Sequence, residues 1–483
     1  MPKKFLSNLS FLIVVNLIIK PLYVFGIDRV IQNQVGEEVY GTYFAILKYA
    51  LILSIFLDMG IENFNRRELA RNEALLDKYF SNFFILKLLL GIIYIIIGII
   101  GGILSRYEWL EIRLLVIILL NEFFRNIVLY FRANLGGLHK FKTDSIFSIL
   151  DRVIMIIICG ILLLFPHKFG KFKIEWFIVS QTAAYSISGL IGFITVFKKV
   201  KVFKPTLRST YNFQVIKQLL PFAILVFLMA IYTHIDAFII ERVLADGKNQ
   251  AGIYAHSMRI LEICSNYSYL FAVILLPVFS KMIRKKEDIN NILRLSFFLI
   301  IVPSILAVTG FYIFKTEIIT LLYPNRDPLS PQIFGTLMFS LLGISTTYVY
   351  GTLLTANGNL KQLNIIAAIG VICSISLNLI LIPKFKAYGA AWANVTSQIT
   401  TAVLQILLAV SIFRIKPNLK RIIKLPLYFI CLMFVGKIIY QYFETIWFYK
   451  FFGFVAVSFI IAVLMEYNDL KQFIQRIKKE RFT

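Results

Sequence analysis

Apolar runs about twenty residues long alternate along the chain with short polar breaks, most of them basic. An α-helix rises about 1.5 Å per residue, so roughly 20 apolar residues suffice to cross the hydrocarbon core of a bilayer. Fourteen runs meet or approach that length: 7–32, 39–64, 79–104, 109–131, 145–165, 175–197, 214–241, 251–280, 292–314, 333–356, 362–383, 388–413, 425–442 and 446–466. The pattern predicts an all-α integral membrane protein with about 14 transmembrane helices. Pro21, Pro221, Pro277 and Pro303 are placed to kink or end helices. No gap holds a soluble domain. The widest, around 314–332, has room for an interfacial helix and the turn Tyr323–Pro328.

The polar breaks fix an orientation. With Lys3 and Lys4 on the cytoplasmic side, so are the breaks around Arg66, Arg67 and Arg71, around Arg132, Lys140 and Lys142, and around Lys198, Lys199, Lys201, Lys204 and Arg208. Lys281, Arg284, Lys285 and Lys286 follow, then Arg414, Lys416, Lys420, Arg421 and Lys424, then the basic tail. Lys168, Lys171 and Lys173 form an awkward basic break on the opposite side. Basic residues concentrated in alternate loops mark those loops as cytoplasmic. An even number of spans then leaves both termini there.

Composition agrees: 59% of residues are hydrophobic and 15% aromatic. The formal net charge of +25, from 51 basic and 26 acidic residues, would suggest nucleic acid in a soluble protein. Here topology accounts for it, and no nucleic-acid partner is expected. Cys159, Cys264, Cys373 and Cys431 are far apart inside apolar runs, with no Cys-x-x-Cys and no His cluster. Neither a disulfide framework, a metal site nor a cofactor is expected. The first run continues past signal-peptide length without a small-residue cleavage site, so it is expected to be retained.

The chain repeats itself at an offset near 210–220 residues. Ile27-Asp28 followed by Gly41-Thr42-Tyr43 is echoed by Ile235-Asp236 followed by Gly252-Ile253-Tyr254. Ala133-Asn134-Leu135-Gly136-Gly137 is echoed by Ala356-Asn357-Gly358-Asn359, and Trp176 and Gln181 by Trp392 and Gln398. A repeat of six spans keeps its orientation, which implies an axis along the membrane normal and a site between the copies near mid-membrane. The predicted organisation is an N-lobe over 1–205, a C-lobe over 206–415, an appended peripheral span pair over 416–470 and a basic cytoplasmic tail over 471–483.

The stretch Gly41-Thr42-Tyr43, Leu57-Asp58-Met59-Gly60-Ile61 and Arg66-Arg67-Glu68-Leu69-Ala70-Arg71 resembles the N-terminal signature of Wzx-type polysaccharide and O-antigen flippases. These belong to the multidrug/oligosaccharidyl-lipid/polysaccharide (MOP) exporter superfamily. Leu354–Gly358 and Tyr388–Asn394 are similar to second-half motifs of the same family. The resemblance covers nearly the whole chain. It implies two six-helix lobes in a V, alternating access, and export of an oligosaccharide linked to a polyprenyl diphosphate. It also implies a polysaccharide polymerase and a chain-length regulator as companions.

Charges inside the spans test that implication. One near the bilayer centre costs about 2.5–3.5 kcal/mol on the insertion scale, so such residues usually face a bundle interior or a wet cavity. An anionic diphosphate calls for cations, and Lys20, Lys48, Arg125, Arg152 and Arg259 are the candidates. Lys20 and Lys48 have no acid one turn away. Arg259 lies on a stripe with His256, Glu262 and Asn266. For Arg125 with Glu122, Arg152 with Asp151 and Arg259 with Glu262, an internal ion pair is the competing reading. Asp58, Glu62 and Arg66 suit a helix-end clamp or a gating salt bridge. Asp236, beside His234, suits a coupling carboxylate, though its mate Asp28 makes a shared helix-end role equally good. Glu262 is a further coupling or gating candidate. Hydroxyl-rich runs in the tenth and twelfth spans are read as satisfying their own backbone.

A multidrug or cation exporter of the MATE-like type is the runner-up; it calls for an acid-dominated cavity. A glycan polymerase or acyltransferase would need a catalytic constellation, and the four histidines at 139, 167, 234 and 256 are scattered. The expectation is a transporter, not an enzyme.

Overall fold

The computed structural model of the chain describes residues 14–204, 209–324, 327–415, 419–442 and 445–481. Lys3, Lys4, the start of the first expected span, Arg208, Asn325, Arg326, Lys416 and the last two residues lie outside them. The regular elements described are helices. Residues 14–23 run into a π-helical turn, Val24–Asp28, and then α1 (Arg29–Val35). After them come α2 (Glu37–Leu53), α3 (Ile55–Asp58), α4 (Ile61–Arg71), α5 (Leu76–Leu104), α6 (Trp109–Gly137), α7 (Phe141–Leu164), α8 (Pro166–Phe169) and α9 (Ile174–Phe197). The remainder is α10 (Ser209–Val243), α11 (Gly247–Lys285), α12 (Asn290–Ile313), α13 (Lys315–Leu322), α14 (Ser330–Leu337), α15 (Ser340–Ala356), α16 (Leu360–Phe413), α17 (Leu419–Tyr442) and α18 (Trp447–Arg481).

Among the described residues, 11 helices are long and apolar enough to cross a membrane. Two differences from the hydropathy pattern have local causes. The second expected span, 39–64, breaks at Ser54 and again at Met59-Gly60, both left-handed (φ 45° and 84°). The Asp58 carboxylate caps the restart, accepting from the backbone N–H of Gly60 and of Glu62 at 3.1 Å each. The expected spans 362–383 and 388–413 run together as α16, whose helix is interrupted at Lys386 (φ 52°, ψ −137°), three residues after Pro383.

By packing, the chain divides into two compact units: Met1–Ile263 with Asn359–Ser397, and Cys264–Gly358 with Gln398–Thr483. The first holds an aromatic core in which Phe64, Tyr79, Phe80, Phe83, Tyr130 and Phe131 interlock. Along α5 the residues Leu89, Ile92, Ile93, Ile96, Ile100 and Ile103 are exposed on turns facing away from that core. So continuous an apolar face belongs against lipid.

Within the same unit the repeat-related glycines meet. A Cβ on Gly41 of α2 would sit 1.9 Å from the Lys248 carbonyl oxygen, and one on Gly252 of α11 would sit 1.9 Å from that of Glu37. Only glycine permits this approach of two backbones. The second unit packs α17 and α18 onto α12 through Phe314, Tyr428, Leu432 and Phe454. Its Ser268, Ser304 and Ser345 hydroxyls form a buried chain at 2.8–2.9 Å. In α15 and α16, Thr346, Thr352, Thr355, Thr396 and Ser397 each donate to the carbonyl four residues back. Those hydroxyls serve their own helices.

Candidate functional site

Lys48 and Arg259 each lie seven residues, two turns, beyond the glycine of their helix. The glycine crossing of α2 and α11 therefore brings repeat-equivalent cations onto one network. Lys48 Nζ donates to Glu262 Oε1, and Arg259 Nη1 donates to Glu262 Oε2 at 3.1 Å. Glu262 thus spans both cations, one oxygen to each. Arg259 Nε also pairs with Asp28 Oδ2 at 3.1 Å. Tyr40 donates its hydroxyl to Asp28 Oδ1 at 2.8 Å and accepts from Arg259 Nε at 3.1 Å, while Gln32 donates to Asp28 Oδ2 at 3.2 Å.

The network is walled by an aromatic ring. The buried Phe44 ring centroid lies 4.9 Å from Lys48 Nζ and 5.3 Å from the Arg259 guanidinium, so one ring sees both cations. Lys48 Nζ also lies 3.3 Å from His234 Nδ1. Two cations and two carboxylates balance. In a low-dielectric interior, removing one member of such a set costs about 3–5 kcal/mol, because the partner is left buried and bare.

The other predicted cations have local acids. Arg125 donates to Glu122 Oε2 through Nε at 2.8 Å. Arg152 lies 3.6 Å from Asp151 and 4.7 Å from the Tyr23 ring. Lys20 is half-buried, within electrostatic reach of Arg152, Arg132 and Asp151. The acids Asp58 and Glu62 meet a residue that sequence reasoning passed over. Lys87, 1% exposed, donates to Asp58 at 2.7 Å, to Glu62 at 3.1 Å and to Asn126 at 2.6 Å. Arg66 instead lies 3.9 Å from Asp144, which Arg132 holds at 2.8 Å. A lone Lys in the apolar run Phe83–Leu90 was the available signal.

Asp28 and Asp236 are mates in sequence but not in surroundings. Asp236, 1% exposed, accepts from Tyr254 at 2.8 Å and from Asn394 at 2.6 Å on Oδ2, and from Asn378 at 2.7 Å on Oδ1. Asp28 faces a guanidinium, whereas these three donors are neutral.

A second charged group joins α6, α10 and α11 at their adjoining ends. Arg242 pairs with Glu241, lies 3.5 Å from Glu111, donates to the Ser105 carbonyl at 3.1 Å and covers the Tyr107 ring at 4.2 Å. Lys248 reaches Glu111 at 2.9 Å. Nearby, Lys386 holds Asp246 at 2.7 Å and draws its carboxyl below the ordinary aspartate range. No group of three or more metal-type ligands occurs among the described residues.

A family model described as "Polysaccharide biosynthesis protein" matches residues 5–283. A search of curated proteins found no match. Among solved structures, the lipid II flippase MurJ in an inward closed conformation is 18% identical with a TM-score of 0.74, covering 96% of this chain and 99% of that one. An inward-facing multidrug resistance MATE family transporter of the MOP superfamily is 14% identical (TM-score 0.61, 85% and 98% covered). A MOP superfamily transporter from Pyrococcus furiosus, described as having a binding pocket of reverse polarity, is 16% identical (TM-score 0.61, 86% and 97% covered). At these identities the likeness is one of fold, and it is the fold of MOP transporters.

Proposed function

This multi-pass membrane chain belongs to the polysaccharide biosynthesis protein family, and from that premise we propose that it is a flippase for polyprenyl-diphosphate-linked oligosaccharides. Lys48 and Arg259 receive the diphosphate, the glycan passes through the cavity, and the prenyl tail stays in lipid. No covalent bond is made or broken. The convergence of two cations from equivalent positions of the repeats carries this reading, since a diphosphate offers oxygens enough to span both. The likeness in fold to a lipid II flippase, itself a handler of a lipid-linked substrate, supports it.

The rest of the mechanism follows from the same premise. The lobes over 1–205 and 206–415 alternate access across the cytoplasmic membrane, with both termini in the cytoplasm. Lys20, Arg125 and Arg152 add positive charge on the N-lobe side of the path. Asp236, a carboxylate held by neutral donors, is the coupling residue, because its charge can change within the cycle. Asp58 and Glu62 with Lys87, and Arg66 with Asp144, clamp the cytoplasmic end of α4. A polysaccharide polymerase and a chain-length regulator act on the exported unit.

Complementation of a flippase-deficient strain tests this, comparing wild type with Lys48→Gln, Arg259→Gln and Lys20→Ala at matched expression. Wild type should restore surface polysaccharide, and the first two variants should accumulate lipid-linked intermediate instead. Restoration by every variant would remove the cationic site. Failure of wild type in its native glycan pathway, together with resistance to cationic drugs, would favour a MATE-like exporter.

A further inference from the structure

Resting on that reading of the Lys48–Arg259 site, we infer that Glu262 is the site's own stand-in for the ligand anion, displaced when a diphosphate binds. Its two carboxylate oxygens take the place that two phosphate oxygens would take, one on Lys48 and one on Arg259. Arg259 and Glu262 stand three residues apart on one face of α11, so a rotamer change in Glu262 releases Arg259 Nη1 without moving the helix.

Exposure separates the two acids of the network. The Asp28 side chain is 1% exposed and is bound by Tyr40 and Gln32 as well as Arg259, so displacing it would strand a buried carboxylate. The Glu262 side chain is 33% exposed, against 1% for Lys48 and 16% for Arg259. Of these four groups it has the readiest route back to water. Swinging it out takes from Lys48 the carboxylate bonded to it and leaves Arg259 with Asp28, and the positive charge so uncovered is what an entering anion neutralises.

The stand-in has a consequence for selectivity. A singly charged carboxylate ligand would exchange one carboxylate for another and lose its own freedom of motion, so it gains nothing. A diphosphate brings more charge and more acceptor oxygens to the same two donors. Glu262 therefore sets a threshold that only a multiply charged head passes, and it keeps the two cations neutralised between ligands.

The full-length protein in detergent micelles, titrated with farnesyl diphosphate and with farnesyl monophosphate, tests the idea. Glu262→Gln should tighten both ligands at least fivefold and by a common factor, since each must displace the same carboxylate. Glu262→Asp, which draws the carboxylate back by one methylene, should give a smaller gain in the same direction and serves if the first variant does not fold. Unchanged or weakened affinity would overturn the inference and make Glu262 a group that orients the two cations. Lys48→Gln and Arg259→Gln separate the two levels. If they abolish farnesyl diphosphate binding while Glu262→Gln changes nothing, the site stands and the stand-in falls. If they leave binding unaltered, the site itself falls.

Discussion

Replacing Gly41 by alanine adds a single methyl group where two helices have no room for it. The new Cβ would lie 1.9 Å from the Lys248 carbonyl oxygen, 2.5 Å from the Gly252 nitrogen and 3.1 Å from its Cα. Real Cβ atoms keep beyond 3.0 Å, and the obstacles are backbone, so α2 and α11 must part by about 1.1 Å. Overpacking of this kind costs about 1–3 kcal/mol. Alanine also gains up to about 1 kcal/mol over glycine in helix propensity, which would mask part of the effect. Gly160→Ala in α7 supplies the control, because nothing lies within 4 Å of its added methyl. The propensity gain is common to both variants and cancels in their difference. Thermal unfolding of the purified protein in one detergent should place Gly41→Ala about 1–3 kcal/mol below Gly160→Ala. Gly252→Ala should behave like Gly41→Ala, and the double variant should lose less than the sum, since the first methyl has already separated the helices. A Gly41→Ala protein as stable as Gly160→Ala would refute the close crossing, and with it the placement of Lys48 beside Arg259.

Lys87→Met should destabilise the first unit by about 1–3 kcal/mol, because it leaves the half-buried Asp58 and Glu62 without their buried cation; adding Asp58→Asn and Glu62→Gln should recover most of the loss in the same unfolding assay. The Lys386–Asp246 bridge is half exposed, so Lys386→Gln should cost less than about 1 kcal/mol at neutral pH. Because Lys386 depresses the Asp246 pKa, that contribution is present above the unfolded aspartate value, about 3.9, and fades as pH falls through the folded one. The stability difference between Lys386→Gln and wild type should therefore shrink below about pH 4, and a difference that grows on acidification would contradict the sign. Asp236→Asn keeps the shape but removes the charge, so it should abolish coupled transport while leaving farnesyl diphosphate binding within twofold; normal transport by this variant would remove Asp236 from coupling.

The helical fold and most of the spans from 79 onward were legible in apolar run length alone, because bilayer thickness sets a length that the chain must meet, but 362–383 and 388–413 run together as α16. The break at Met59-Gly60 was not, since hydropathy does not record two left-handed residues inside an apolar run. Lys48, Arg259, Asp28 and Glu262 were each legible as charges out of place. Their grouping was not, because Lys48 and Glu262 are 214 residues apart and pair only where Gly41 meets Gly252. Reading Lys48 as lacking an acid one turn away was true of its own helix and silent about α11. The pairs within a single helix, Arg125 with Glu122, Arg152 with Asp151 and Arg259 with Glu262, were the ones that spacing could reach. Asn378 escaped notice and Asn394 was read only as part of a family motif, because an amide in an apolar run carries no charge to mark it, although both bind Asp236.

The most direct measurement is translocation in proteoliposomes of defined lipid composition, using a polyprenyl-diphosphate oligosaccharide carrying a fluorescent sugar and following its exposure to a membrane-impermeant quencher. Wild type should move the labelled lipid between leaflets well above protein-free vesicles, and Lys48→Gln and Arg259→Gln should fall to that background. If wild type moves no lipid-linked sugar but transports an organic cation dye, the account of a diphosphate-reading flippase is wrong.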